Sequence, residues 1–113
     1  MAFYQWTAVY SIADTAFAGT YTVITSATIP SEAVAMRITT TLDQSCMLSL
    51  DGGTTDHLPV TKTGAGGNAQ IIPLTDQGGR GPGYTGFAGN AVYVKDIGTS
   101  STGSLYISFL YRV

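Results

Sequence analysis

Cys46-Met47-Leu48-Ser49-Leu50-Asp51-Gly52-Gly53-Thr54-Thr55-Asp56-His57-Leu58-Pro59-Val60 reads as a strand, a glycine turn and a second strand. Cys46, Leu48 and Leu50 alternate with Met47 and Ser49, the period-2 pattern of a strand with one buried face. Asp51-Gly52-Gly53 then offers residues that tolerate positive φ, which a tight reversal needs. Leu58 and Val60 resume the apolar phase on either side of Pro59. A proline has no N–H for a ladder on both flanks, so this second strand is expected at a sheet edge.

The same alternation recurs on both sides of the hairpin. Tyr4, Trp6, Ala8, Tyr10 and Ile12 share one phase and predict a first long strand with an aromatic face turned to the core. Residues 20–29 form another, with Tyr21, Val23 and Thr25 on one side, ended by Pro30. Residues 31–35 could make a single helical turn behind Ser31, too short to stand alone. Met36, Ile38, Thr40 and Leu42 mark a third strand. Residues 69–74 read as a short strand broken by Pro73, and residues 91–95 as a strand with Val92 and Val94 inward. Residues 104–112 give the clearest strand, with Leu105, Ile107, Phe109 and Tyr111 on one face. Its other face keeps Tyr106 and Leu110, so a partner is expected to cover it.

About seven or eight short strands at this spacing predict an all-β chain, an antiparallel β-sandwich with a jelly-roll character. The 113 residues form one domain, 1–113. No internal repeat is visible, which argues against a propeller or solenoid. A glycine-rich segment near 75–90 contains Arg80, Tyr84 and Phe87. Loops of that length are uncommon in compact domains, and disordered linkers rarely carry aromatics. The segment is therefore read as a contact loop that orders against a neighbour.

Charged residues make up 11 % of the chain, under half the usual share of about 25 %. Thr, Ser and Gly fill most polar positions instead. So sparse a charged surface suits a protein that spends its life against other proteins. The net charge of −2, with cations scattered at Arg37, Lys62, Arg80, Lys95 and Arg112, argues against nucleic acid or an anionic membrane as partner. No stretch reaches the roughly 18 apolar residues of a membrane span, and residues 1–12 lack the basic leader and apolar run of a signal peptide. A cytosolic origin is expected.

Catalytic motifs are missing. Asp51, Asp56 and His57 flank one turn, but an Asp before Gly-Gly is ordinarily a turn residue bonded to its own backbone. A zinc site needs three or four ligands at suitable spacing, and His57 is the only histidine. The dense Asp/Asn alternation of a calcium loop is missing too. No Gly-x-Ser-x-Gly elbow supports a serine nucleophile. The glycine runs at 64–67 and 78–81 lack the Lys-Ser/Thr ending of a phosphate loop. Cys46, the one cysteine, cannot form an internal disulfide and falls on the apolar phase of its strand, as a small buried hydrophobe would. The chain is thus read as non-enzymatic and without a cofactor or metal. Among the aromatics, Tyr4, Trp6, Tyr10 and Tyr111 lie on inward phases and are assigned to the core. Tyr84 and Phe87 are better placed as protein-contact anchors.

The segment running from Thr40-Thr41-Leu42-Asp43-Gln44-Ser45 through the hairpin to Leu58 resembles small virion proteins of tailed bacteriophages. So do Val92-Tyr93-Val94-Lys95-Asp96-Ile97-Gly98 and Gly103-Ser104-Leu105-Tyr106-Ile107-Ser108. The resemblance covers roughly the C-terminal two-thirds of the chain and is carried by strand-and-turn motifs. It implies a virion location and a structural role, as a capsid cement or decoration protein or as a tail or head-tail component. The implied partners are the major capsid protein or other virion proteins, with the chain as a homo-oligomer, dimer or trimer. The expected contact residues are Arg80, Tyr84, Phe87, Tyr106 and Leu110. The competing reading is a lectin-like, carbohydrate-binding module for host attachment, which calls for an exposed row of aromatics.

Overall fold

The computed structural model describes residues 3–61, 68–75, 84–85, 89–98 and 102–113. Its strands are β1 (Tyr4–Trp6), β2 (Tyr10–Ala13), β3 (Thr22–Thr28), β4 (Ala33–Thr40), β5 (Cys46–Ser49), β6 (Leu58–Val60), β7 (Asn68–Thr75), β8 (Tyr84–Thr85), β9 (Ala91–Asp96) and β10 (Ser104–Arg112). A 3-10 turn, Asp14–Ala16, follows β2. The larger sheet runs β1-β10-β4-β7-β8, with β2 also paired to β10, and the smaller runs β3-β9-β5-β6. Pairing is antiparallel throughout except for the short parallel contact of β7 with β8.

The order of crossing between sheets defines the architecture. From β2 the chain passes to the smaller sheet at β3, back at β4, then to β5 and β6. It returns at β7, crosses again at β9 and closes at β10. Apart from the short strands β1 and β8, the strands β2-β10-β4-β7 and β3-β9-β5-β6 interleave in this way as a jelly roll, and the all-β sandwich expected from the sequence is the observed fold. The core fills the space between the sheets. Met36, Ile38, Leu105, Ile107 and Phe109 enter it from the larger sheet, and Ile24, Cys46, Leu48, Val92 and Val94 from the smaller. Each is at most 1 % exposed, so every one of these side chains contributes roughly 1.5–3 kcal/mol of burial, Cys46 less.

The opening hairpin behaves as its residues dictate. Gly52 and Gly53 take φ of +83° and +92°, a region open to glycine without a Cβ clash. β6 is the edge of the smaller sheet, with Pro59 opposite Met47.

Three expectations are corrected. The long first strand is two strands. Tyr4, Gln5 and Trp6 pair with Arg112, Tyr111 and Leu110, while Tyr10 pairs with Ile107. Three residues, Thr7, Ala8 and Val9, therefore oppose two, Ser108 and Phe109. The extra residue is held as a bulge: the Thr7 N–H donates to the Phe109 carbonyl (2.8 Å), and the Phe109 N–H donates to Thr7 Oγ1 (3.0 Å). One inserted residue flips the following side chains to the opposite face. Tyr10 and Ile12 thus face the core, whereas Tyr4 and Trp6, assigned to the core from their phase, are 53 % and 37 % exposed.

The second correction concerns residues 31–35. Pro30 accepts the Ala33 N–H (3.2 Å) in a tight turn, and Ala33 already begins β4, so no helical turn forms. In the third, β7 runs through Pro73, which pairs with Ala35, rather than breaking there; β8 joins β7 only from Leu74 onward. A further irregularity lies in β3. Ser26 has φ of +64° and the pairing with β9 shifts register there, so Ile24 and Ala27, three apart, are both buried while Val23 and Thr25 face outward.

Candidate binding face

Two groupings of polar side chains stand out, and they differ in kind. The first is the Asp51 turn. The Thr54 and Thr55 N–H groups donate to Asp51 Oδ1 at 3.2 and 2.9 Å, and the Ser49 hydroxyl donates to the same oxygen at 2.8 Å. Ser49 Oγ in turn accepts the Gly53 N–H (3.0 Å). His57 Nδ1 accepts the Leu50 N–H at 3.0 Å, and the His57 N–H closes back on the Leu48 carbonyl. Hydrogen bonding from Thr55, then Ser49, holds the Asp51 carboxyl at about 2, below the usual carboxylate range. Asp56 points elsewhere. It accepts from the Tyr21 hydroxyl and pairs with Lys95 Nζ at 3.2 Å, contacts that lower its carboxyl pKa. Burial and the neighbouring Asp56 push the Tyr21 phenol up. These bonds shape a turn and tie it to β9. Among the described residues no three His, Cys, Asp or Glu side chains converge as metal ligands.

The second grouping is the outward face of the larger sheet, created by the bulge. Trp6 turns out beside Leu110, and Arg37, on β4, pairs with Ser108 on one flank and Ile71 on the other. The Arg37 guanidinium lies over the Trp6 ring, 4.4 Å from its centre. Beside them opens a cleft of about 370 Å³ lined by Val9, Arg37, Thr39, Tyr106, Ile107 and Ser108. Tyr106 is 36 % exposed there, opposite Thr39 on β4 and Ser11 on β2. The strands of this sheet contain Arg37 and Arg112 and no Asp or Glu. In a chain of net charge −2, one sheet is therefore locally cationic and aromatic. Farther along, Phe3, Tyr4 and Val113 lie exposed where β1 meets the end of β10, with the Val113 N–H donating to the Phe3 carbonyl (2.8 Å).

Of the contact residues expected from the sequence, Tyr106 and Leu110 are on this face, Tyr106 exposed and Leu110 half-buried. Arg80 and Phe87 lie outside the described residues, and of Tyr84 only the backbone is described, in β8. Trp6, Val9, Arg37 and Thr39 were missed. Their signal was faint, because Tyr4, Trp6, Ala8 and Tyr10 keep an unbroken alternation across the bulge. Only Val9, an apolar residue on the polar phase, hints at a change of face. Chemically the cleft offers a guanidinium, the hydroxyls of Thr39 and Tyr106 and apolar surface, the means to bind and orient a ligand.

No helix among the described residues is long and apolar enough to cross a membrane. Comparison with protein-family models, with curated proteins and with solved structures finds no match for this chain.

Proposed function

We propose that this chain is a non-enzymatic structural protein of a tailed-bacteriophage virion, a capsid cement or decoration protein that works as a dimer or trimer. The observation that carries the reading is the apolar end of the larger sheet, where, among the described residues, Phe3 and Val113 are 65 % and 68 % exposed beside Tyr4. Exposed apolar patches on small domains mark protein contacts. The sparse charge of the chain and the resemblance of its C-terminal two-thirds to small phage virion proteins point the same way. Jelly rolls build both viral capsid and lectin domains, which supports the reading by analogy of fold. Light scattering on the purified chain, with co-sedimentation against isolated phage capsids, tests it. A dimer or trimer that pellets with capsids, and a Phe3→Ser/Tyr4→Ser variant that does not, is the expected result. A monomer that stays in the supernatant overturns it.

A second reading is favoured by a separate observation. Tyr106 is exposed at a cleft lined also by Val9, Arg37 and Thr39, the kind of aromatic and hydroxyl lining a sugar ring packs against, and Trp6 is exposed beside it over Arg37. The chain then serves as a carbohydrate-binding module of the particle, contributing to host attachment. Binding on a glycan array that is lost in Tyr106→Ala is expected, and a blank array removes the reading.

A further inference from the structure

We infer, resting on the carbohydrate-binding reading of this cleft, that its ligand is an acidic saccharide whose carboxylate is held by Arg37. The charge distribution comes first. Of the acidic residues, none falls in the strands of the larger sheet, and among the described residues no carboxylate pairs with Arg37. The other described cation of a strand interior, Lys95, is by contrast committed to Asp56. Arg37 is a half-buried cation whose own sheet supplies no counter-charge. Ordinarily such a group is paired.

The geometry shows which part of the guanidinium is available. Its central carbon lies over the Trp6 ring, 4.4 Å from the centre, a cation–π contact that uses no acceptor, and among the described residues no carboxylate takes its N–H donors. A pair of guanidinium N–H donors matches a carboxylate in a bidentate bond. Because Arg37 itself lines the cleft, a ligand in that space lies beside it. Around it, Thr39 and Tyr106 supply hydroxyls for the ring hydroxyls of a sugar, and Val9 with the Tyr106 ring supplies apolar surface for its C–H face. The volume of about 370 Å³ sits at the small end of ligand sites, which run from roughly 300 to 1,000 Å³. A hexuronic acid unit satisfies all three demands: one carboxylate, several hydroxyls and a compact ring.

Trp6 is the only tryptophan in the chain, so its fluorescence reports on this site alone. The test titrates the full chain with an oligogalacturonate and with the same oligomer methyl-esterified, in which each carboxylate is replaced by a neutral methyl ester. Sodium acetate and inorganic phosphate at matched ionic strength serve as simple-anion controls. The acidic oligomer is expected to shift Trp6 emission and to bind about tenfold or more tighter than its ester. Calorimetry should show that preference gone in Arg37→Gln and reduced in Arg37→Lys, which keeps the charge without the planar fork. Thermal melts confirm that both variants fold, and if Arg37→Gln does not, the ester comparison on the wild type decides alone. Equal binding of acid and ester overturns the inference while leaving carbohydrate binding intact. Binding of neither oligomer removes both. An equal response to acetate or phosphate identifies an adventitious anion site and overturns the inference.

Discussion

The guanidinium of Arg37 and the indole of Trp6, 4.4 Å apart, meet across the back of β10. Trp6 belongs to β1 and Arg37 to β4, and β10 runs between them. Ser108, on the outward face of β10 opposite Arg37, is only 2 % exposed for that reason. The contact therefore does two things. It joins a three-residue edge strand to the centre of the sheet, and it roofs a polar side chain that would otherwise meet solvent.

A double-mutant cycle measures that link. Trp6→Ala and Arg37→Ala should each lower stability in urea. The cycle with the double variant should return a coupling of roughly 0.5–1 kcal/mol, the range of a partly exposed cation–π pair. Additive losses would mean that the two side chains do not support each other in solution.

The contrast between β5–β6 and β1–β2 explains what the sequence could disclose. In the first, Leu48, Leu58 and Val60 keep one phase to the turn, and the turn is written in Asp51-Gly52-Gly53, so fold, edge position and local geometry all follow from local chemistry. In the second, the face of Trp6 depends on how many residues lie opposite Ser108 and Phe109, a property of a pairing about 100 residues away in the chain. Within residues 4–12 only Val9, apolar on the polar phase, hints at it, since an even alternation of aromatics continues straight through the bulge. The jelly roll was legible because burial has a period. The cleft was not, because it exists only where a register slips. Tyr106 and Leu110 were found because a polar face that keeps an aromatic and a leucine is locally conspicuous.

Among the described glycines, Gly103 is the position where a backbone substitution should cost most. It has φ of +96°, and a Cβ there would lie 2.1 Å from the Thr41 carbonyl oxygen. Both sides of that approach are fixed, because the Ser104 N–H donates to Thr41 Oγ1 (2.9 Å) and the Thr41 N–H to the Ser104 carbonyl (2.9 Å). Gly103→Ala should cost about 2–4 kcal/mol, since conformational strain and a backbone clash add. Gly89, with φ of +85° and no described residue within 4 Å of its Cβ position, should lose only about 1 kcal/mol as Gly89→Ala. Urea midpoints compare the two, and equal losses would show that the close approach at Gly103 relaxes freely.

Cys46 should be chemically silent in the folded protein. It is fully buried, and burial, with the nearby Asp96 charge, pushes its thiol up to about 12, so almost none is thiolate near neutral pH. Labelling with a thiol reagent at about pH 8 should proceed only through unfolding and accelerate as urea approaches the transition. Rapid labelling in native buffer would show that β5 opens independently of the rest of the smaller sheet.

The Asp51 turn should make stability sensitive to acid in a defined window. The folded carboxyl sits at about 2 against an ordinary value of 3.8. A depressed folded pKa means that the unfolded chain takes up the proton first, so the contribution of Asp51 is complete above about pH 4 and disappears as pH falls toward 2. Asp56, also lowered, by its bonds to Tyr21 and Lys95, has the same sign, so the acid response of the wild type alone does not isolate Asp51. The difference between wild type and Asp51→Ala does. That substitution removes the acceptor for the Thr54 and Thr55 N–H groups and should lower the urea midpoint at neutral pH. The gap should stay constant down to about pH 4 and then narrow, because the protonated wild-type side chain accepts those bonds more weakly. A gap that holds its full size to pH 2 would mean that the turn depends on the shape of Asp51 and not on its charge. Salt discriminates further: a charge contribution from a group partly open to solvent should weaken as ionic strength rises, whereas one made by geometry should not.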